Sequence, residues 1–220
     1  MVERLKNGGS ALIWIIVYML FFAFSLSFLW ESGNLIGLSE VNSSNLLNKA
    51  TSDFIVNIAW ALLFIGLVYR KNRRMADIGL TKESPKLVIG LIIIYFGMFL
   101  LNQDFSIHGF YQAYFYLFAV AFSEEIIFRG FLFNQLEKVT SMWPAIIISG
   151  AIFGFMHAIL PSIVRGDTFS QFLVKSMSEL GGMGILGSLF YIFLYKKSGN
   201  LWVPILIHAI LDYSRVFGGA

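Results

Sequence analysis

Residues 111–136 read Tyr111-Gln-Ala-Tyr-Phe-Tyr-Leu-Phe-Ala-Val-Ala-Phe-Ser123-Glu124-Glu125-Ile-Ile-Phe-Arg129-Gly-Phe-Leu-Phe-Asn-Gln-Leu136. The stretch is predominantly apolar and exceeds the roughly 20 residues that cross a hydrocarbon core. It nevertheless carries two carboxylates and a guanidinium near its middle. A charge at membrane depth costs about 2.5–3.5 kcal/mol even on the lenient insertion scale, so each of the three needs a reason. Glu125 and Arg129 are four residues apart, which places them on one helical face, where they can pair. Glu124 lies about 100° round the helix and is left over. A carboxylate held in a low-dielectric cavity suits a general base or acid.

The rest of the chain agrees with a membrane setting. Of 220 residues, 57% are hydrophobic, 17% aromatic and only 13% charged, with a mean hydropathy of +0.74. Ordinary soluble domains carry about 25% charged residues. The expected fold is all-α, a polytopic transmembrane helical bundle of about seven spans enclosing a polar intramembrane cavity. The spans fall at about 11–30, 54–69, 87–101, 111–136, 143–160, 172–195 and 201–217. Glu3, Arg4 and Lys6 precede the first, which is too long for a signal peptide and is followed by no small-x-small cleavage site, so it is expected to be retained.

Basic residues set the expected topology. Arg70, Lys71, Arg73, Arg74, Lys82 and Lys86 crowd one loop, while Lys138 and the pair Lys196 and Lys197 mark two more. These read as cytoplasmic. The loop from Glu31 to Asp53, with Lys49 its only cation, and the loop from Asp104 to His108 read as external. The N-terminus is then cytoplasmic and the C-terminus external, in a multi-pass protein of the cell membrane. The net charge of +3 sits at helix ends and suggests no nucleic-acid surface. With no cysteine, disulfides, thiol catalysis and Cys-ligated zinc are excluded.

Two of the three histidines fall inside apolar spans, His157 in Phe153-Gly-Phe-Met-His157 and His208 in His208-Ala-Ile-Leu-Asp212. Asp212 is one turn beyond His208 and shares its face, so it can accept a proton from the ring or flank the same ligand. His108 is assigned no role. At 1.5 Å per residue from their cytoplasmic ends, Glu124 and His157 lie roughly 20 Å deep and Arg129 and His208 roughly 12 Å. All fall in one band near the bilayer middle. A Glu125–Arg129 pair can equally be a structural clip, and a lone intramembrane histidine can simply bond a neighbouring helix. Two histidines, a leftover glutamate and an aspartate at one depth read as a site. Phe153 reads as cavity wall, and Gly150 with Gly154, like Gly181, Gly184 and Gly187, as close helix packing.

Glu124-Glu125-x-x-x-Arg129, then Phe153-x-x-x-His157, then His208-x-x-x-Asp212 resembles the three-motif signature of the CPBP family. That family comprises the CAAX prenyl endopeptidases and the bacteriocin-processing or self-immunity membrane proteases. Asp77-Ile-Gly-Leu80 also looks like the lead-in of bacterial members. The resemblance covers about residues 77–217, so residues 77–220 read as the protease core. Residues 1–76 read as a variable N-terminal part with two transmembrane helices and a basic cytoplasmic loop. It implies an intramembrane endopeptidase in which Glu124 is the general base and His157 helps hold and polarise the attacking water. Glu125 and Arg129 would position Glu124, and His208 with Asp212 would complete the site. The CAAX branch usually has Asn where Asp212 stands. An ionised Asp cannot donate to an oxyanion, so Asp212 is expected to orient His208.

Chemistry with no metal is expected, with zinc held by Glu124, His157 and His208 as the alternative, since two His and a carboxylate with an open position suit that ion. The expected partners are membrane lipid and a hydrophobic or lipidated peptide substrate. Competing readings are a non-catalytic self-immunity or scaffold protein and a proton-coupled transporter component. The second should show inverted repeats or broken helices in paired positions, and neither is evident.

Overall fold

The computed structural model describes residues 2–218; Glu3, Arg4 and Lys6, read above as the basic start of the first span, lie outside the described side chains. Every long element is helical, and no strand occurs among the described residues. In chain order the α-helices are α1 (Val2–Glu31), α2 (Leu46–Asp53), α3 (Ala59–Asn72), α4 (Pro85–Asn102), α5 (Ile107–Tyr114), α6 (Asn134–Glu137), α7 (Met142–Arg165), α8 (Phe169–Glu179), α9 (Gly187–Ser198) and α10 (Trp202–Ser214). Between them lie π-helical stretches at Phe54–Ile58, Phe115–Phe122, Glu125–Phe133 and Leu180–Leu186. In these wider turns each N–H bonds five residues back, and such turns concentrate at functional sites.

Among the described residues, five helical stretches are long and apolar enough to cross a membrane: Gly8–Glu31, Leu46–Lys71, Pro85–Asn102, Met142–Arg165 and Phe169–Ser198. They correspond to five of the seven expected spans. The other two expected spans are helical but carry the ionisable residues, and α10 is only 13 residues long. One expectation needs correcting. The polar loop from Glu31 to Asp53 ends in α2, so the second span begins near Leu46 instead of Phe54. Lys49 is therefore no loop cation. It is 8% exposed, 2.7 Å from Asp53 Oδ1, and Tyr111 Oη donates to Asp53 Oδ2 at 2.7 Å.

The chain divides into two compact units, residues 1–35 with 128–193, and residues 36–127 with 194–220. In the first, α7 packs closely on the Leu180–Leu186 stretch because glycine lets the backbones meet. A Cβ on Gly150 would stand 2.9 Å from Ile185 Cα, one on Gly154 3.0 Å from Gly184 Cα, and one on Gly184 2.8 Å from the Gly150 carbonyl oxygen. In lipid, where apolar contact alone drives little association, such close approach is the main source of helix–helix attraction. Gly181 and Gly187 do not share this role. No neighbouring atom lies within 4 Å of a Cβ on Gly181, and for Gly187 the nearest is 3.6 Å away.

In the second unit, α10 lies against α4 through Leu91, Val203 and Leu206, and Trp202 stacks on Phe122 at 5.8 Å. Two turns are tied together beneath them. Gly79 (φ +92°) runs so close to Tyr195 that a Cβ would be 2.7 Å from its hydroxyl, and its carbonyl accepts from Leu201 N at 2.9 Å. Asn200 donates to the carbonyls of Thr81 (3.1 Å) and Glu83 (2.9 Å), and Thr81 Oγ1 donates to the Gly199 carbonyl at 2.8 Å. The basic loop before α4 and the Lys196–Lys197 turn therefore sit on the same side of the membrane.

Substituting Gly184→Val should destabilise the protein by about 1–3 kcal/mol, the usual cost of overpacking. Gly181→Ala, with open space at its Cβ, should be neutral or slightly stabilising. Thermal unfolding of the two variants in detergent checks this, and equal losses would show that the close approach does not hold these helices.

Candidate active site

The second unit gathers four of the six sequence-predicted residues around one imidazole. His208 leaves α10 with 2% of its surface exposed, too deep to keep any polar edge in water. Its Nδ1 lies 3.0 Å from Glu125 Oε1, and Glu125 is fully buried. Its Nε2 lies 3.3 Å from Asp212 Oδ2 and 3.8 Å from Glu124 Oε2. The Asp212 contact follows from the four-residue spacing on α10. Those to the glutamates join positions 83 and 84 residues away and no local rule points to them.

Burial separates the two adjacent glutamates. The Glu125 side chain has no exposed surface, whereas that of Glu124 is 15% exposed and that of Asp212 13%. Glu125 is thus held, fully buried, against Nδ1 of His208. Of the two glutamates, Glu124 alone keeps side-chain surface exposed. Ser123 and Glu124 stand between the two π-helical stretches, so face assignments based on the α-helical period do not carry over unchanged here. A neighbour unread from the sequence joins the rim: Arg215 Nη2 lies 3.4 Å from Asp212 Oδ1 on the next turn.

The first unit holds Arg129 and His157 about a shared aromatic ring. Phe153 is wholly buried, with the Arg129 guanidinium 4.0 Å above its centroid and the His157 ring edge-on at 4.3 Å. Tyr191 lies under the same guanidinium at 5.2 Å, and Arg129 Nη2 donates to Ser188 Oγ at 3.2 Å. A desolvated cation over an aromatic face gains about 2 kcal/mol, which offsets part of the burial. His157 Nδ1 is 3.0 Å from the Phe153 carbonyl oxygen, which can only accept. The ring proton of neutral His157 is therefore on Nδ1, and Nε2 keeps its lone pair. Phe153, expected as cavity wall, sets both neighbours. Ser188 and Tyr191 had no signal, being far along the chain from Arg129.

A zinc ion needs deprotonated ring nitrogens with free lone pairs. Both nitrogens of His208 already face carboxylates, and no group of three His, Asp or Glu side chains has metal-holding spacing among the described residues. As arranged, His208 and the carboxylates around it do not fit zinc, and no step is routed through it.

The family described as type II CAAX prenyl endopeptidase Rce1-like matches residues 106–214, a stretch that includes all six predicted residues. Residues 106–214, just under half of the chain, are thus similar to that family. With five helices long and apolar enough to cross a membrane, the protein is a multi-pass membrane protein with an Rce1-like segment. Over 89 residues it is 33% identical to "Putative membrane peptidase YdiL" of Bacillus subtilis (strain 168), covering 40% of this chain and 29% of the relative. The match thus spans less than a third of that relative's length. No solved structure matches the chain.

The Glu125–His208 contact should appear as an energetic coupling. In a double-mutant cycle of Glu125→Gln and His208→Gln, followed by unfolding in mixed micelles, the coupling should be about 1.5–3 kcal/mol, typical of a charge-assisted hydrogen bond. Additive losses would show that the two side chains do not share a proton.

Proposed function

We propose that the protein is an intramembrane endopeptidase that hydrolyses a peptide bond of a hydrophobic or lipidated, membrane-associated peptide with an activated water. The observation that carries this reading is the unequal burial of two adjacent glutamates round one imidazole. Glu125 is sealed against Nδ1, whereas the Glu124 side chain, its Oε2 3.8 Å from Nε2, keeps 15% of its surface exposed. Glu124 takes a proton from water as the oxygen attacks the scissile carbonyl, then returns it to the leaving amine. Proton transfer of this kind contributes about 10²–10⁴-fold. His208, held at both ring nitrogens, places positive charge beside the carbonyl oxygen as it becomes anionic. Asp212 accepts from Nε2 and keeps the ring in that orientation, a role within reach of an acceptor-only carboxylate.

The family motif assigns His157 to the attacking water, and its fixed tautomer leaves Nε2 for that contact. Arg129 serves as a buried positive charge that keeps its helix in place. The proposed chemistry needs no metal; the zinc alternative read from the sequence, on Glu124, His157 and His208, would require His208 to give up one of its two carboxylate contacts. The basic turns support an orientation with the N-terminus in the cytoplasm and the C-terminus outside.

Purified protein in nanodiscs should cleave members of a quenched fluorescent library of hydrophobic peptides, and Glu124→Gln should lower the rate by about 10²–10⁴-fold while leaving the fold intact. 1,10-Phenanthroline should leave the wild-type rate unchanged. Loss with chelator and recovery with zinc would move the histidines to metal ligands. No cleavage by folded wild-type protein would favour a non-catalytic self-immunity or scaffold role.

A further inference from the structure

The first unit contains a cavity of about 790 Å³ between α1, α7 and the start of α8, within the size range of ligand pockets. On α1 its wall is one stripe, Ile16, Leu20, Ala23, Ser27, Trp30 and Glu31, at helical spacing. From Ile16 to Glu31 the stripe covers roughly 22 Å at 1.5 Å per residue. One leaflet of the hydrocarbon core is only about 15 Å deep. Phe155, Ile159 and Ile163 of α7 and Phe172 of α8 supply the facing apolar wall. A long hydrocarbon chain fits such walls, and a folded polar ligand does not.

The polar groups gather at one end. Ser27, Trp30 and Glu31 stand at the C-terminal end of α1, and Ser162 and Asp167 at that of α7. Arg165 binds Asp167 through Nη2 at 2.5 Å and Nε at 3.2 Å, which holds the Asp167 carboxyl below the usual carboxylate range. Asp167 is therefore ionised at neutral pH. Two carboxylates and two hydroxyls at one end of an apolar shaft match a headgroup with several N–H donors and a positive charge. We propose that this cavity holds an acyl chain of a membrane phospholipid whose headgroup is a primary ammonium, the ammonium lying among Glu31, Asp167 and the two serines.

This site is separate from the proposed chemistry. At 100° per residue, Phe155, Ile159, Ser162, Ile163 and Gly166 share one side of α7, with Phe153 and His157 centred roughly 150° away. The lipid is a bound companion of the fold on the face of α7 turned from His157.

Native mass spectrometry of the full-length protein, titrated with phosphatidylethanolamine, phosphatidylcholine and phosphatidylglycerol of identical chains, reads the site directly. The wild type should retain the ethanolamine lipid over both others. Glu31→Gln, at an exposed position with no packing role, should reduce its preference over the choline lipid about fivefold, the scale of one exposed charge pair. Ala23→Trp should fill the shaft and abolish retention of all three. Equal retention of the three lipids by the wild type would overturn the proposal, as would an unchanged preference in Glu31→Gln or recovery of a peptide-linked chain in place of a phospholipid. The readout is bound lipid, so failure of the peptidase assignment leaves this result standing.

Discussion

A buried imidazole with a carboxylate at each ring nitrogen is the constraint on which the second unit depends. An isolated charge in hydrocarbon costs several kcal/mol, and an unpaired polar atom nearly as much. His208, Glu125 and Asp212 avoid that cost only together, with Nδ1 on Glu125 and Nε2 on Asp212. Removing any one leaves a partner stranded at depth. That dependence holds α10 against the helix carrying Glu124, and it explains why these short, polar helices occur in a bundle otherwise built from long apolar ones. The packing of α10 on α4 through Leu91, Val203 and Leu206 and the hydrogen-bonded turns around Asn200 fix the end of α10 from which His208 rises.

The first unit meets the same problem with an aromatic ring. Arg129 cannot shed its charge, so it lies between Phe153 and Tyr191 and donates to Ser188. The carbonyl of that same Phe153 sets the tautomer of His157. One phenylalanine thus couples the orientation of a cation to that of a histidine. The tight seam of Gly150, Gly154 and Gly184 keeps α7 at the distance this stack requires.

How much of this could be read from the sequence follows from the range of each interaction. The apolar runs and the His208–Asp212 turn are local, and they were legible because helical spacing alone creates them. Close packing was legible at Gly150, Gly154 and Gly184 but misassigned at Gly181 and Gly187, since a glycine's spacing does not say what faces it. The Glu125–His208 contact, the Ser188 and Tyr191 partners of Arg129 and the Tyr111–Asp53 bond join segments far apart in the chain. Lys49 reads as a loop cation for a different reason: hydropathy starts the second span at Phe54, whereas the helix begins at Leu46 and places Lys49 one turn from Asp53. The π-helical turns around Glu124 also had no sequence signal, because they alter the period on which face assignments depend.

Helix α7 shows how a membrane helix carries polar function without losing its place. Its faces divide three ways: Gly150 and Gly154 against a neighbouring backbone, Phe153 and His157 toward the buried cation, and Phe155, Ile159 and Ile163 along the apolar cavity. A helix with a histidine at depth cannot rotate freely, since a turn of roughly 150° would bring that ring to the apolar cavity and an isoleucine toward the guanidinium. The glycine seam resists such rotation by shape and the apolar wall resists it by contact with hydrocarbon. Orientation of His157 is therefore a property of all three faces, and substitutions on the two that carry no chemistry can still disturb it.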